Sequence, residues 1–200
     1  MFFCCFRKIL RIHGVQREIE VNPDKLKAII KVKSPKIVKE VQSLIEKVTT
    51  LNRVVSRATD KCMSFFKVLK KYFQWNDEFE EALAKLKEYL MRPPLLSPSV
   101  MGEKLFLYLA VSNTAISSAL IKEEGNVQKP VYYTSKAFQG VEASYPRMEK
   151  IAFTLLVASR KLHPYFQAHL IVIMTDQPIR KMMNKIDAAG QLIQWVIELG

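Results

Sequence analysis

Leu105-Phe106-Leu107-Tyr108-Leu109-Ala110-Val111, Ala115-Ile116-Ser117-Ser118-Ala119-Leu120-Ile121-Lys122 and Pro130-Val131-Tyr132-Tyr133-Thr134-Ser135 follow one another closely in this chain of 200 residues. Short apolar or alternating runs rich in aliphatic and aromatic side chains read as strands. Glu124-Gly125-Asn126 supplies a turn between the second and the third. Three consecutive antiparallel strands are the simplest assembly. Pro146 then opens a helix over 146–161, with Ile151, Leu155, Leu156 and Ala158 on its buried side. The next run, His169-Leu170-Ile171-Val172-Ile173-Met174-Thr175, is almost continuously apolar, which predicts a central strand covered on both faces. Strand, strand, strand, helix, strand, helix makes an α/β fold on a mixed sheet. A final run, Leu192-Ile193-Gln194-Trp195-Val196-Ile197, reads as part of a helix.

Upstream, the apolar period changes. Val38, Val41, Leu44, Ile45, Val48, Leu51 and Val55 recur at steps of three and four, which lays one packing stripe along a helix and turns Lys39, Lys47, Arg53 and Arg57 toward other faces. Shorter helices are predicted over 60–71 and 77–91. In the last of these Asp77 and Glu78 complement the N-terminal dipole and Glu81 stands four residues before Lys85. Pro93-Pro94 stops it. Before Pro35, Asn22 caps a short helix with Pro23 in its first turn. Proline and glycine thus divide the chain into 1–34, a helical segment 35–98, and an α/β segment 99–200.

An apolar fraction of 49% describes a chain able to bury a core. No run approaches the roughly 20 apolar residues of a membrane span, and three cysteines without metal-ligand spacing argue against a disulfide framework or zinc site. The expectation is an intracellular protein, cytoplasmic or nuclear. The net charge of +12 is unevenly placed. Between Lys25 and Lys71 there are 13 basic residues against Glu40, Glu46 and Asp60, whereas 101–200 holds 11 basic and 8 acidic residues. Such a basic block is either the footprint of a phosphate backbone or a well-solvated lysine-rich surface. On the first reading Lys39, Lys47, Arg53, Arg57, Lys67, Lys70 and Lys71 are the candidate nucleic-acid contacts.

Two acids occupy places where chemistry gathers. Glu149 lies in the first turn of the 146–161 helix and Asp176 at the C-terminal end of an apolar strand, where side chains reach an open crevice. Structural roles fit both as well, with Glu149 complementing the helix dipole and Asp176 starting a turn.

Tyr132-Tyr133-Thr134-Ser135-Lys136, Tyr145-Pro146-Arg147-Met148-Glu149-Lys150, Leu162-His163-Pro164-Tyr165-Phe166 and Thr175-Asp176-Gln177-Pro178 resemble, in order and spacing, the RNase H domain of plant gypsy-like LTR retrotransposon Pol polyproteins. Val21-Asn22-Pro23-Asp24-Lys25, Ser34-Pro35-Lys36, Leu51-Asn52-Arg53, Phe65-Phe66-Lys67-Val68-Leu69-Lys70-Lys71, Phe73-Gln74-Trp75 and Leu86-Lys87-Glu88-Tyr89-Leu90 resemble the end of the reverse transcriptase, with its thumb and connection. The resemblance covers the chain from about Val21 onward. It makes 1–34 a divergent remnant of the palm end, 35–98 the thumb and connection, and 99–200 an RNase H-like domain truncated at its C-terminus.

The resemblance implies cleavage of the RNA strand of an RNA–DNA hybrid by two Mg²⁺ ions held on four carboxylates. Glu149 matches the second carboxylate and Asp176 the third, so these two would be the metal ligands. The first falls on Ala110, which has no ligand atom, and the fourth would lie beyond Gly200. Ser112 keeps its place in the pattern and cannot replace a carboxylate. No adjacent pair of aspartates of the polymerase type occurs in the chain. The chain is therefore expected to be a Pol fragment whose partners are RNA–DNA hybrid or duplex nucleic acid and the remainder of the polyprotein, with hydrolysis impaired and Mg²⁺ poorly bound. A non-catalytic nucleic-acid-binding remnant and a non-functional genomic relic are the alternatives.

Overall fold

The computed structural model describes residues 23–70, 76–92 and 95–177, with the backbone alone for 67–70. Four helices come first: α1 (Pro23–Ile30), α2 (Val38–Thr50), α3 (Ala58–Lys70) and α4 (Asp77–Met91). Then follow β1 (Lys104–Val111), β2 (Ala115–Glu124), β3 (Val127–Ala137), a 3-10 turn (Gly140–Ser144), α5 (Arg147–Lys161), α6 (His163–Ala168) and β4 (Leu170–Met174). The predicted cap residue Asn22 and the predicted helix over 192–197 lie outside the described residues.

The helices form where their apolar periods place them. Val41, Leu44, Ile45 and Val48 of α2 are buried with Cys62 and Phe65 of α3 and Phe79, Leu83, Leu86 and Leu90 of α4, in one cluster that Ile29 of α1 joins. Asn76 caps α4 by accepting a hydrogen bond from the Phe79 N–H at 3.2 Å. The expected Glu81–Lys85 ion pair is present at 2.6 Å. One expectation changes: the α2 stripe does not run on as helix to Val55. The Thr49 and Thr50 hydroxyls donate to the carbonyls of Ile45 and Lys47, a local competition that weakens a helix end. The chain then turns through 51–57, with Arg57 in the left-handed region at φ 50°. Leu51 and Val55 still reach the core, while Val38 is exposed.

The sheet has the order β3-β2-β1-β4. The first three strands are antiparallel and β4 lies parallel to β1, giving the mixed α/β sheet that the strand and helix order implies. Gly125, at φ 65°, makes the β2–β3 turn. The register shifts beside Leu120: this residue pairs with Tyr132 and Ile121 with Pro130, so Val131 is the extra residue of a bulge. Pro130 is tolerated because β3 is an edge strand. A correction concerns β4. Its apolar run predicts a central strand, yet among the described residues β4 is an edge, with Leu170, Ile173 and Met174 exposed. The crossover through α5 and α6 brings it to the free side of β1, and only its α5 side is packed.

Alternation along the strands gives the sheet two faces. Leu105, Leu107 and Leu120 share a buried cluster with Ile151, Leu155 and Ala158 of α5. The opposite face carries the transverse row Ala110, Ser117, Ser135. Here the helical layer docks. The Ser135 hydroxyl donates to Asn52 Oδ1 at 2.6 Å and accepts from the Thr59 hydroxyl at 2.9 Å and the Thr59 N–H at 3.2 Å. Its side chain is thus fully satisfied although Ser135 is only 3% exposed. The Arg53 carbonyl accepts from the Tyr133 N–H at 2.9 Å, so the free side of β3 is also tied to the α2–α3 turn.

Ser135→Ala removes the partner of Asn52 Oδ1 and of the Thr59 hydroxyl and N–H together and is expected to cost about 1–3 kcal/mol in urea unfolding. Ser34→Ala, at an exposed hydroxyl bonded to Glu80, should change stability by less than about 0.5 kcal/mol.

Candidate functional site

Parallel β1 and β4 end on the same side of the sheet, and α5 starts there. Ala110 is next to last in β1, paired with Ser117 across to β2. Asp176 follows β4 by two residues and Glu149 sits in the first turn of α5. The structure therefore gathers the three expected positions at one end of the sheet. Asp176 is 68% exposed and pairs with Arg147 on α5, its Oδ2 lying 3.5 Å from Nη2. Glu149 is partly exposed. Ala110 projects from the face opposite α5, since Leu107 and Leu109 pack toward that helix.

Sequence reading missed a fourth group near this end. Asp60, in the first turn of α3, accepts a hydrogen bond of 2.9 Å from the Ser112 hydroxyl. Ser112 also accepts from the N–H groups of Thr114 and Ala115, an ST-turn that closes the β1–β2 connection. Asp60 is 52 residues away in sequence, so no local spacing could have flagged it. Even with Asp60 counted, no three Asp, Glu, His or Cys side chains among the described residues form a group able to hold a metal ion.

The candidate nucleic-acid contacts separate. Lys39 and Lys47 are exposed on α2, and Arg57 is exposed in the α2–α3 turn. Arg53 is drawn inward: its guanidinium lies 5.0 Å from the centre of the Tyr132 ring, and its Nε is buried without a hydrogen-bond partner among the described residues. Tyr132 in turn meets Tyr165 of α6 edge-on at 6.1 Å. Lys67 and Lys70 lie on the α3 backbone, their side chains outside the described residues, and Lys71 lies outside them altogether. Lys61, not among the candidates, caps the Ser56 carbonyl and stands 4.0 Å over the Tyr89 ring. Burial, with Arg57 nearby, lowers its pKa.

Burial also perturbs the neutral acids where helices and sheet meet. It raises the phenols of Tyr89, Tyr133 and Tyr165 and pushes the Cys62 thiol up to about 12. A thiol held so far above its ordinary value carries almost no thiolate near neutrality and is a packing group rather than a nucleophile.

Residues 75–173 match the family model described as the RNase H-like domain found in reverse transcriptase. The match begins upstream of β1 and takes in α4. The chain is 25% identical over 185 residues to the retrovirus-related Pol polyprotein from transposon 297 of Drosophila melanogaster, covering 90% of the chain and 17% of that protein. It is 20% identical over 184 residues to the transposon Tf2-3 polyprotein of Schizosaccharomyces pombe, covering 90% and 14%. The chain thus spans 17% and 14% of the length of these two curated relatives. Its fold is similar to that of the foamy viral protease-reverse transcriptase in complex with RNA/DNA hybrid, with a TM-score of 0.71 at 18% identity over 90% of this chain and 26% of that one. The same viral protein in complex with double-stranded DNA gives a TM-score of 0.69 at 17% identity, over 90% and 40%.

A phenol whose folded-state pKa exceeds its unfolded value contributes stability that is intact below about pH 10 and is lost as pH climbs through the raised value. Unfolding midpoints should therefore drop as pH rises above about 10, and Tyr133→Phe should flatten that drop. An unchanged profile in Tyr133→Phe would mean that this phenol is not held neutral in the fold.

Proposed function

We propose, from the premise that this chain is a fragment of a Pol polyprotein carrying the RNase H-like domain found in reverse transcriptase, that it holds RNA–DNA hybrid or duplex nucleic acid without cleaving it efficiently. The observation that carries this reading is Ala110. A two-metal centre needs carboxylate oxygens that converge, and the alanine methyl at the end of β1 offers none.

Electrostatics at the other positions supports the same reading. Magnesium requires a near-octahedral oxygen shell and gives up its waters reluctantly. Asp176 faces the Arg147 guanidinium, whose positive charge opposes a dication at that carboxylate. Glu149 and Asp176 remain the residues that would touch a metal if one bound, but the set does not fit a pair of ions. No step of the proposed activity runs through one. The net charge of +12 and the exposed Lys39, Lys47 and Arg57 support electrostatic contact with phosphates, to which Lys67, Lys70 and Lys71 would add. Arg53 would act indirectly, holding the α2–α3 turn against Tyr132.

In this proposal 35–98 is the thumb and connection, 99–200 the RNase H-like part, and the source a gypsy-like element of plant type. The rest of the polyprotein would supply polymerase chemistry. Such a substrate implies an intracellular setting, cytoplasmic or nuclear.

With an RNA–DNA hybrid labelled on the RNA strand, excess chain and Mg²⁺ at about 10 mM, well above what an intact site needs, no product is expected. Ala110→Asp alone should add none, since one restored oxygen donor still leaves the shell short. Mg²⁺-dependent cleavage that disappears in Asp176→Asn would overturn the proposal. Hybrid affinity should fall steeply with salt, and Lys39→Ala, Lys47→Ala and Arg57→Ala should each reduce the log–log slope by about 0.9. Affinity indifferent to salt would remove the nucleic-acid reading.

A further inference from the structure

The sheet face opposite α5 is unevenly covered. The α2–α3 turn and α3 lie over β3 through Asn52 and Thr59. Farther across, on β1, the same face carries Lys104, Phe106 and Tyr108 in strict alternation. Val172 and Met174 of β4 flank the two rings on one side, and Ile121 and Ala119 of β2 on the other. Both rings are partly exposed. The Lys104 ammonium lies 5.3 Å from the centre of the Phe106 ring, and the Tyr108 hydroxyl accepts a 2.9 Å hydrogen bond from Gln128 Nε2. Gln128 also donates to Glu123 Oε1 at 3.1 Å, and the strand register sets this pair beside the Lys104 end of the row.

We propose that the Lys104, Phe106, Tyr108 row is a binding site for single-stranded nucleic acid. Two bases lie on the two rings and the phosphate that flanks the base on Phe106 meets Lys104. Aromatic rings on a sheet surface bind unpaired bases because every base has a π-face, and a neighbouring cation neutralises the backbone. Positions two apart on a strand stand about 7 Å from each other. That is about twice the 3.4 Å rise per base of a stacked strand, so the row suits two splayed bases rather than a stacked run. Ala119, the cross-strand neighbour of Tyr108, is too small to cover that ring. The Lys104 ammonium beside the Phe106 ring gives this row a cation as well as π-faces, a pairing that suits an anionic, base-bearing partner rather than a neutral apolar one. Tyr108 and Ala110 are consecutive residues on this face, so the row leads along β1 toward the end where Glu149 and Asp176 stand. The site takes unpaired strands and does not depend on the hybrid-binding reading.

The test uses the full 200-residue chain and fluorescein-labelled oligo(U) and oligo(dT) of about 12 nucleotides, a length typical of single-strand sites. Phe106→Leu and Tyr108→Leu keep apolar volume in the sheet and should each weaken binding about tenfold, the loss expected for one base–ring stack. Tyr108→Phe keeps the ring and should bind as the wild type does. Circular dichroism checks that each variant is folded, and hybrid affinity measured in parallel should stay unchanged. Photocross-linking of bromouracil-substituted oligonucleotide should map to 104–108. Wild-type affinity in both leucine variants, or cross-links confined to other segments, would overturn the proposal. So would a photoreactive side chain at 106 that captures residues 178–200 or a second copy of the chain and is not displaced by oligonucleotide.

Discussion

The hydroxyl of Ser135 is the constraint on which the arrangement of helices against sheet depends. A hydroxyl can donate one hydrogen bond and accept two, and here Asn52 and Thr59 use all three. The carbonyl of the same residue accepts from Asn52 Nδ2 at 3.4 Å and from the Lys161 ammonium at 3.2 Å. One residue of an edge strand is therefore held by the α2–α3 turn and by the last residue of α5. Burial makes these bonds directional as well as stabilising, because an unmet buried polar group costs more than a met one gains. Sliding β3 by one position would turn Ser135 toward α5 and strand both partners. This bonding fixes which face of the sheet the helical layer covers, the face on which the strand register lines up Ala110, Ser117 and Ser135.

Much of this was legible in the residues. The strand runs, the Gly125 turn, the proline-opened α5 and the apolar period of α4 depend on neighbours in sequence, and the structure has them within a few residues of where the pattern puts them. Contacts decided at long range were not legible. The Asp60–Ser112 bond spans 52 residues and the Asn52–Ser135 bond 83. The short helix α6 contains His163 and Pro164, and no amphipathic period of six residues is long enough to announce it. For β4, an apolar composition says that side chains are shielded but not from which side, and edge and centre look alike in sequence.

At the candidate site, residue identity was readable and electrostatic setting was not. Ala110 is evident from the letters alone. That Asp176 would meet a guanidinium, or that Arg53 would turn inward to Tyr132, follows only from tertiary packing. The Arg147–Asp176 pair is solvent-exposed on both sides, and pairs of that kind contribute about 0–1 kcal/mol. It matters through the sign of charge it sets beside the carboxylate, and little for holding the fold together.

The parallel pairing of β4 with β1 carries a consequence for synthesis on the ribosome. The β1–β2–β3 meander joins strands that are adjacent in the chain and can pair as soon as they emerge. Leu170 finds its neighbour at Lys104 only after α5 and α6 have been translated. Loop closure over such a distance is entropically late. Until then the free side of β1 is an unpaired edge in the nascent chain, open to mispairing with another chain on the same message.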